Sequence, residues 1–564
     1  MLALSFLFAS FLVPAIAAPA PVNIGLGIEF GPGSNDLPTL KLPYATYKAY
    51  SYDVTDDYYT FRNIRFAAPP VGERRWQKPA PPENQTGIQD GSVGFQCPQA
   101  LPDRLSFAYP LLANLEPYSE DCLFLDVLVP GKAIRGEVKD LPVMVWLFGG
   151  GYVLGSKSFF LYDGHPLLKA ADNNMIYVAP NYRLGAFGFL AGTHVEKDGV
   201  PNSAFWDQRA AFQWVQDHIS LVGGNPSSVT AMGESAGAGS IMHQLVAERG
   251  KLQPQFHRAI FQSPAFEPIY DEIKINITYS AFESAAGCAG QGLSCLRSKS
   301  MEELQNANLK VVGASQYGSF GFGPAVDNVM IFDLPGVEFA RGNFWKGLEG
   351  VVVGHNTNEG VIFADPTKVT NKQMDALMLT NFPKMSAAGQ AALKRLYPEP
   401  GLFKEYKTNF QRLNAFIGDW SVNCNARYIS EAYKGKSWAY SFSVPPGIHA
   451  MDLVFTFFRT DLNLWNIFQL DIDIDFITQK NLATGFQSYL TSFVRSGDPN
   501  KYRQKGGIPW TIDMPKAEFG KTVKALDVGL LGFKRINDDL MDQEKCGFWG
   551  SAVWTGRDGY TFEK

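Results

Sequence analysis

The sequence contains no CxxC pair, no basic stripe, no repeat or low-complexity tract, and, past its first residues, no apolar run long enough to cross a bilayer. Each absence excludes something. Without CxxC spacing, neither a thiolate metal site nor dithiol redox chemistry is expected, and no cofactor is called for. With 50 Lys and Arg against 55 Asp and Glu, the net charge of −5 offers nothing to neutralise phosphates, so no nucleic-acid partner is expected. Charged residues are scarce at 19% and hydrophobic ones make up 46%, which excludes a disordered chain and leaves ample material for a core. Length alone suggests three or four units of about 150 residues. No Ser/Gly-rich or Pro-rich linker divides the chain, however, so one large core with long insertions is expected over residues 18–564.

The first 17 residues carry no charge, run apolar through Leu2, Leu4, Phe6, Leu7, Phe8, Phe11 and Leu12, and end in Ala15-Ile16-Ala17. This reads as a secretory signal peptide, although the positive start of such segments is missing; Pro14 and the shortness of the run argue against a membrane anchor. Extracellular secretion agrees with two glycosylation sequons, Asn84-Gln85-Thr86 and Asn276-Ile277-Thr278, and with an even cysteine count of 6. Closure of short loops favours Cys97 with Cys122 and Cys288 with Cys295, leaving Cys424 and Cys546.

Strand-like apolar runs at 121–129, 141–148, 175–180, 258–261, 350–353 and 437–442 alternate with helical spacing at 204–219 and 236–247 and with a helical region from about 370 to 435. Residues 18–60 read as irregular structure or short antiparallel strands. The alternation implies an α/β class built on a mainly parallel sheet. Three patterns look chemical and are read otherwise. Gly150 to Gly155 before Ser156-Lys157 resembles a phosphate loop, but a serine separates the last glycine from the lysine. Asp471, Asp473 and Asp475 resemble the start of a calcium loop, yet Phe476 stands where glycine is needed. Met144, Trp146 and Phe148 alternate at strand spacing and belong in a core.

The stretch that carries chemistry is Val229-Thr-Ala-Met-Gly-Glu-Ser-Ala-Gly237. A short strand leads into Gly233-Glu234-Ser235-Ala236-Gly237 and then into a helix without proline, which is the context a GxSxG nucleophile turn needs. A serine hydroxyl requires a histidine to take its proton and an acid to orient that ring. Of 7 histidines, His218, His243 and His257 sit in or near helical stretches, and His165 and His194 are read on loops. His355 follows the strand at 350–353. His449, after the strand at 437–442 and the turn Pro445-Pro446-Gly447, fits the chain order serine, acid, histidine better. For the acid, Glu359 has the right place in that order, but by spacing alone it reads slightly better as a solvated loop residue, and Asp452 is a rival. The residues by themselves leave that choice open. Gly149-Gly150-Gly151, at the end of an apolar strand, can offer unobstructed N–H groups to an oxyanion, together with that of Ala236.

Taken together, Phe61-Arg-Asn-Ile-Arg-Phe-Ala-Ala-Pro-Pro-Val-Gly72, Ser119-Glu-Asp-Cys-Leu-Phe-Leu-Asp126, Gly149 to Tyr152, Asn181-Tyr-Arg-Leu184, Asp207-Gln208, Gly223-Gly-Asn-Pro226, Gly233 to Gly237, Asn358-Glu-Gly360, Gly447-Ile-His449 and Ser496-Gly-Asp-Pro-Asn500 resemble the type-B carboxylesterases, a family that includes secreted fungal lipases and cholinesterases. The likeness spans nearly the whole mature chain. It implies an α/β-hydrolase fold with helical insertions around a gorge, Ser235 as nucleophile, Glu359 as acid, His449 as base, and oxyanion donors at Gly150, Gly151 and Ala236. It also implies disulfides Cys97–Cys122, Cys288–Cys295 and Cys424–Cys546. The chain departs from the family pattern at Val222, at Ala204-Phe205 and at Pro264 in Gln262-Ser263-Pro264, positions around the site rather than in it.

The resemblance implies a serine carboxylic-ester hydrolase working through an acyl-enzyme on a small-molecule or lipid ester. In such a family the loop between Cys97 and Cys122 borders the gorge. Its residues Leu101, Leu105, Phe107, Tyr109, Leu111, Leu112 and Leu115 favour apolar acyl groups, and its shortness points to an esterase. The alternatives are a triacylglycerol lipase with transient lipid-interface contact, or an esterase dedicated to one natural product. The loop has no tryptophan to hold a quaternary ammonium, which disfavours choline esters. A non-catalytic adhesion protein of the same fold is disfavoured by the presence of all three triad residues.

Overall fold

In the computed structural model, residues 27–29, 36–108, 117–265, 272–316, 318–368, 370–382, 384–460, 476–513 and 522–555 are described. The leader expected at 1–17, the middle of the Cys97–Cys122 loop with Tyr109, Leu111, Leu112 and Leu115, and the Asp471, Asp473, Asp475 triplet lie outside them. Four short strands, β1 (Gly27–Glu29), β2 (Thr39–Lys41), β3 (Thr46–Lys48) and β6 (Ile88–Gln89), form a small outlying sheet. The early short strands expected from sequence are therefore present.

Eleven strands make the main sheet: β4 (Ser51–Asp53), β5 (Tyr58–Arg65), β7 (Phe124–Pro130), β8 (Leu141–Leu147), β9 (Ile176–Pro180), β10 (Gly224–Glu234), β11 (Arg258–Gln262), β12 (Gly350–Asn356), β13 (Ser437–Phe442), β14 (Val523–Gly529) and β15 (Gly532–Asp538). Their spatial order is 15-14-13-12-11-10-8-9-7-5-4. From β9 to β14 every pairing is parallel, and the edges are antiparallel. Central strands read as continuous apolar runs because both faces are covered. β11 and β12 are buried throughout, and Met144, Trp146 and Phe148 are core residues.

The strand read from Asp121 begins at Phe124. His165 and His194, read on loops, instead lie in short helices, His165–Ala170 and Thr193–Asp198. The helical region after β12 resolves into helices Asn371–Asn381, Ala387–Leu396, Asn409–Gly418 and Cys424–Ala432, with a π turn at Asp419–Asn423 between the last two. These helices build a second apolar core of their own, including Met378, Phe382, Leu413 and Phe416, which Phe548 and Trp549 of the C-terminal helix Gln543–Gly550 complete. No described helix is long and apolar enough to cross a membrane.

Candidate active site

β10 ends at Glu234 and the helix Ala236–Val246 begins one residue later, so Ser235 is the turn between them. Its φ of 53° and ψ of −124° lie outside the ordinary regions for a residue with a side chain. Such a conformation costs of order 1–3 kcal/mol and persists only where neighbours enforce it. Here the Ser235 N–H donates to the Gln262 carbonyl at 2.9 Å, and the Ser235 carbonyl accepts from Gly239 at 2.8 Å and Ala265 at 3.1 Å. The flanking glycines are demanded by contact. A Cβ on Gly237 would lie 2.0 Å from the Leu147 carbonyl oxygen, and one on Gly233 would lie 2.6 Å from the Gly237 carbonyl carbon.

Two further strand ends bring their loops to the same place. The loop after β12 and the loop after β13 are zipped together, with Asn358 N–H donating to Gly447 O at 2.7 Å and Asn358 Nδ2 to Pro446 O at 2.8 Å. This juxtaposition sets Glu359 against His449: the Nδ1 of His449 meets Glu359 Oε2 at 2.5 Å. The other oxygen of Glu359 accepts from Ser263 Oγ at 2.7 Å and from the Asn356 N–H at 2.5 Å. Glu359 is 2% exposed, so its reading as a solvated loop residue is corrected. Burial pushes its carboxyl up, but the neighbouring His449 and these hydrogen bonds outweigh burial and hold it below the ordinary value.

His449 Nε2 makes no hydrogen bond in this conformation and lies 3.3 Å from Glu234 Oε1. No hydrogen bond therefore joins it to Ser235 Oγ. Burial pulls the imidazole pKa down, yet Glu359 and Glu234 on either side push it up to about 9. Burial lifts Glu234 itself to about 8. Asp452, the sequence rival for the acid, is fully buried and accepts from Tyr440 OH at 2.5 Å and Gln262 Nε2 at 3.1 Å, with no hydrogen bond to His449. His355, the rival base, lies inside β12, with Nε2 held by Asp538 Oδ2 at 2.7 Å.

The oxyanion candidates sit around the same serine. Gly150 and Gly151 have φ of 117° and 59°, and their N–H groups donate to no described partner. The Ala236 N–H, in the first turn of its helix, has no intrahelical partner either. Bulk is excluded: a Cβ on Gly149 would lie 2.9 Å from Ser235 Cβ. Around these groups lies a cavity of about 40 Å³, lined by Gly151, Tyr152, Ser235, Ala236, Phe320 and Phe363, with Ala265, Gly318, Ile417, Trp420 and Ser421 completing the wall. Among the described residues no cluster of His, Cys, Asp and Glu has the geometry to hold a metal.

A model of the carboxylesterase family matches residues 46–529. The chain belongs to the carboxylesterase family. It is a carboxylic-ester hydrolase with the α/β-hydrolase fold. Among relatives, a protein called secreted lipase from Arthroderma benhamiae is 34% identical over 527 residues, covering 92% of this chain and 93% of the relative. The carboxylesterase patB of Aspergillus clavatus is 30% identical over 574 residues, covering 91% and 96%. Among solved structures, Aspergillus niger EstA superposes with a TM-score of 0.78 at 24% identity, covering 93% of this chain and 100% of that one. A thermophilic pNB esterase gives 0.74 at 26%, covering 91% and 99%.

In this carboxylesterase several loops are fastened covalently and by charge. The six cysteines form Cys97–Cys122, Cys288–Cys295 and Cys424–Cys546. Lys157, in the stretch that resembled a phosphate loop, is instead a buried strut: its Nζ donates to Asp126 at 2.8 Å and Asn63 at 2.7 Å. Arg104, at the base of the Cys97–Cys122 loop, donates to the Ser315 carbonyl at 3.1 Å and so ties that loop to the segment carrying Gly318 and Phe320. Sequence reasoning missed Ser263, Asn356 and Trp420. None lies in a spacing that marks chemistry, and Ser263 entered only as part of a departure from the family pattern.

Proposed function

We propose that the protein is a secreted serine esterase in which Ser235, His449 and Glu359 form the triad, with the N–H groups of Gly150, Gly151 and Ala236 as oxyanion donors. The observation that carries this reading is the placement of His449: Nδ1 is fixed on a buried, ionised Glu359, while Nε2 makes no hydrogen bond and lies 3.3 Å from Oε1 of Glu234, the residue before Ser235. Ser235 Oγ attacks the ester carbonyl as its proton passes to Nε2. The oxyanion forms against three preorganised N–H groups, and Glu359 stabilises the imidazolium without taking its proton. His449 then returns the proton to the departing alcohol, and water, activated by the same nitrogen, releases the acid from Ser235.

The cavity beside Ser235 is lined mainly by apolar side chains, Phe320, Phe363, Ile417 and Trp420 among them, which suits an apolar acyl group. Residues 18–564 form one hydrolase domain behind a cleaved leader. Of the two sequons, Asn84 is exposed, whereas the Asn276 amide donates to Thr193 Oγ1 at 3.2 Å and accepts from its N–H at 3.1 Å, so Asn84 is the better glycan acceptor. The test is hydrolysis of soluble p-nitrophenyl esters by the purified protein beside Ser235→Ala, with a serine-directed fluorophosphonate label located by mass spectrometry. The variant should lose about 10⁵–10⁶ in kcat and all labelling; unchanged turnover would refute the triad. The relatives called lipases supply the second reading, and a jump in rate only above the solubility limit of a long-chain ester would favour it.

A further inference from the structure

The short segment that follows β11, Ser263-Pro264-Ala265, is bonded to three parts of the site at once. Ser263 Oγ donates to Glu359 Oε1 at 2.7 Å, and the Ala265 N–H donates to the Ser235 carbonyl at 3.1 Å. The Ala265 carbonyl in turn accepts from the hydroxyl of Tyr152 at 3.1 Å, and Tyr152 follows Gly150 and Gly151 directly in the chain. Acid, serine turn and oxyanion loop are thereby joined through one segment. The segment is itself stiff. Ser263 holds a φ of 47° with its N–H on the Gly354 carbonyl at 2.8 Å, the ring of Pro264 fixes the next φ, and the Pro264 carbonyl accepts from Asn425 Nδ2 at 3.0 Å.

Tyr152 is held just as firmly from its own side. It is buried, and its φ of 64° is one that a bulky residue adopts only where its surroundings enforce it. Its carbonyl accepts from the Gly185 N–H at 2.8 Å, and its ring is boxed edge-on by Phe189 and Phe205, with centroids 5.0 and 6.1 Å away. Gly239 leaves the gap in which the hydroxyl meets Ala265: a Cβ there would lie 2.5 Å from the Tyr152 hydroxyl oxygen and 1.9 Å from the Ala265 carbonyl oxygen. Two departures from the family pattern, Phe205 and Pro264, therefore bear on this one side chain.

Resting on the triad and oxyanion donors proposed above, we infer that Tyr152 is a positioning residue for the oxyanion loop: its hydroxyl, through Ala265, fixes the N–H groups of Gly150 and Gly151 relative to Ser235. Such donors stabilise developing charge to the extent that they are in place before it forms. The two glycines have no side chains with which to hold themselves. Within the loop the Gly150 carbonyl accepts from the N–H groups of Val153 and Leu154, each at 3.1 Å, which shapes the turn. The tyrosine hydroxyl adds the tie across to the serine.

The test compares inhibition by trifluoromethyl hexyl ketone and by methyl hexyl ketone. Ser235 Oγ adds to the carbonyl carbon of the fluorinated ketone, its proton passes to His449, and the former carbonyl oxygen becomes an oxyanion facing the donors; the methyl ketone binds without adding. Tyr152→Phe, which keeps the ring and deletes the hydroxyl, should weaken the fluorinated ketone about tenfold, the scale of one buried hydrogen bond. It should lower kcat for p-nitrophenyl butanoate by a similar factor and leave KM and the methyl ketone near their wild-type values. Gly239→Ala, whose Cβ would part the Ala265 carbonyl from the hydroxyl, should show the same selective loss, and it decides the matter if Tyr152→Phe does not fold. Both ketones weakened alike, or neither weakened, overturns the inference. In Ser235→Ala the fluorinated ketone should lose its advantage over the methyl ketone; an advantage that survives there refutes the triad rather than the role of Tyr152.

Discussion

Replacing Glu234 by glutamine should move the pH dependence of this enzyme in a direction that charge alone dictates. In the proposed triad His449 must be neutral to accept the serine proton, and with its pKa pushed up to about 9 it is largely protonated at neutral pH. Glu359 on Nδ1 keeps it so, joined by Glu234, 3.3 Å from Nε2, once Glu234 is ionised. At that separation, with an effective dielectric of about 20, two full charges attract by about 5 kcal/mol. Glu234 loses its own proton only at about 8, so its full charge is present over just the upper part of the His449 titration. A downward shift of the His449 titration over that upper part is therefore expected for Glu234→Gln. The assay is kcat/KM against pH from 5 to 10 for a soluble p-nitrophenyl ester at fixed ionic strength, because the acid limb of that profile reports the free enzyme. The limb should move down over its upper part, so that activity between about pH 8 and 9 relative to the plateau rises several-fold, whereas at pH 6–7, where wild-type Glu234 is itself protonated, the two proteins should differ little. A limb that stays in place, or moves up, would refute the reasoning and show that Glu234 carries no charge where His449 titrates.

Ser263→Ala removes a 2.7 Å hydrogen bond to the charged Glu359, worth about 1.5–3 kcal/mol, so kcat should fall roughly 10- to 100-fold with KM little changed; equal kcat in both proteins would deny Ser263 any part in orienting the acid. Removing Cys424–Cys546, whose sequence separation is 122, should lower unfolding free energy by about 4–5 kcal/mol, against about 2–3 for Cys288–Cys295 with a separation of 7. Urea titration of the paired serine variants checks this, and the reverse order would contradict the loop-length argument. For His355, burial lowers the pKa but Asp538 outweighs it, leaving about 9 in the folded protein against 6.5 for the free group. A raised folded pKa gives stabilisation that is full below about 6.5 and is lost as pH rises through about 9, on the order of 3 kcal/mol at most. The gap in melting temperature between wild type and His355→Gln should accordingly be wide at pH 6 and narrow at pH 10; a gap independent of pH would show that the pair acts through packing alone.

The central strands were legible because burial on both faces leaves an uninterrupted apolar run, as in β8 and β13, where the boundaries differ from the expected ones by a residue or less. β15 was not legible. Its Gly532-Phe-Lys-Arg-Ile-Asn-Asp538 is an exposed edge whose charges suit solvent and carry no strand periodicity. The turn at Ser235 could be read because sterics force glycine on both sides. Glu359 could be placed only by family likeness, since the contacts that bury it come from Ser263, Asn356 and His449, distant in sequence and unmarked by spacing. The same holds for the indole of Trp420, which the helical pattern of residues 409–432 presents as one more apolar position.

The loops that carry Ser235, Glu359 and His449 leave β10, β12 and β13, strands paired in parallel through β11 and held in register by connections of many tens of residues. Such pairings close late, after the chain has paid the entropy of long loops. Of the proposed triad, no fragment that ends before His449 carries all three side chains. Ester hydrolysis during refolding from denaturant should appear only with the last phase seen by tryptophan fluorescence, so that the enzyme's own activity serves as a clock for the completion of its sheet.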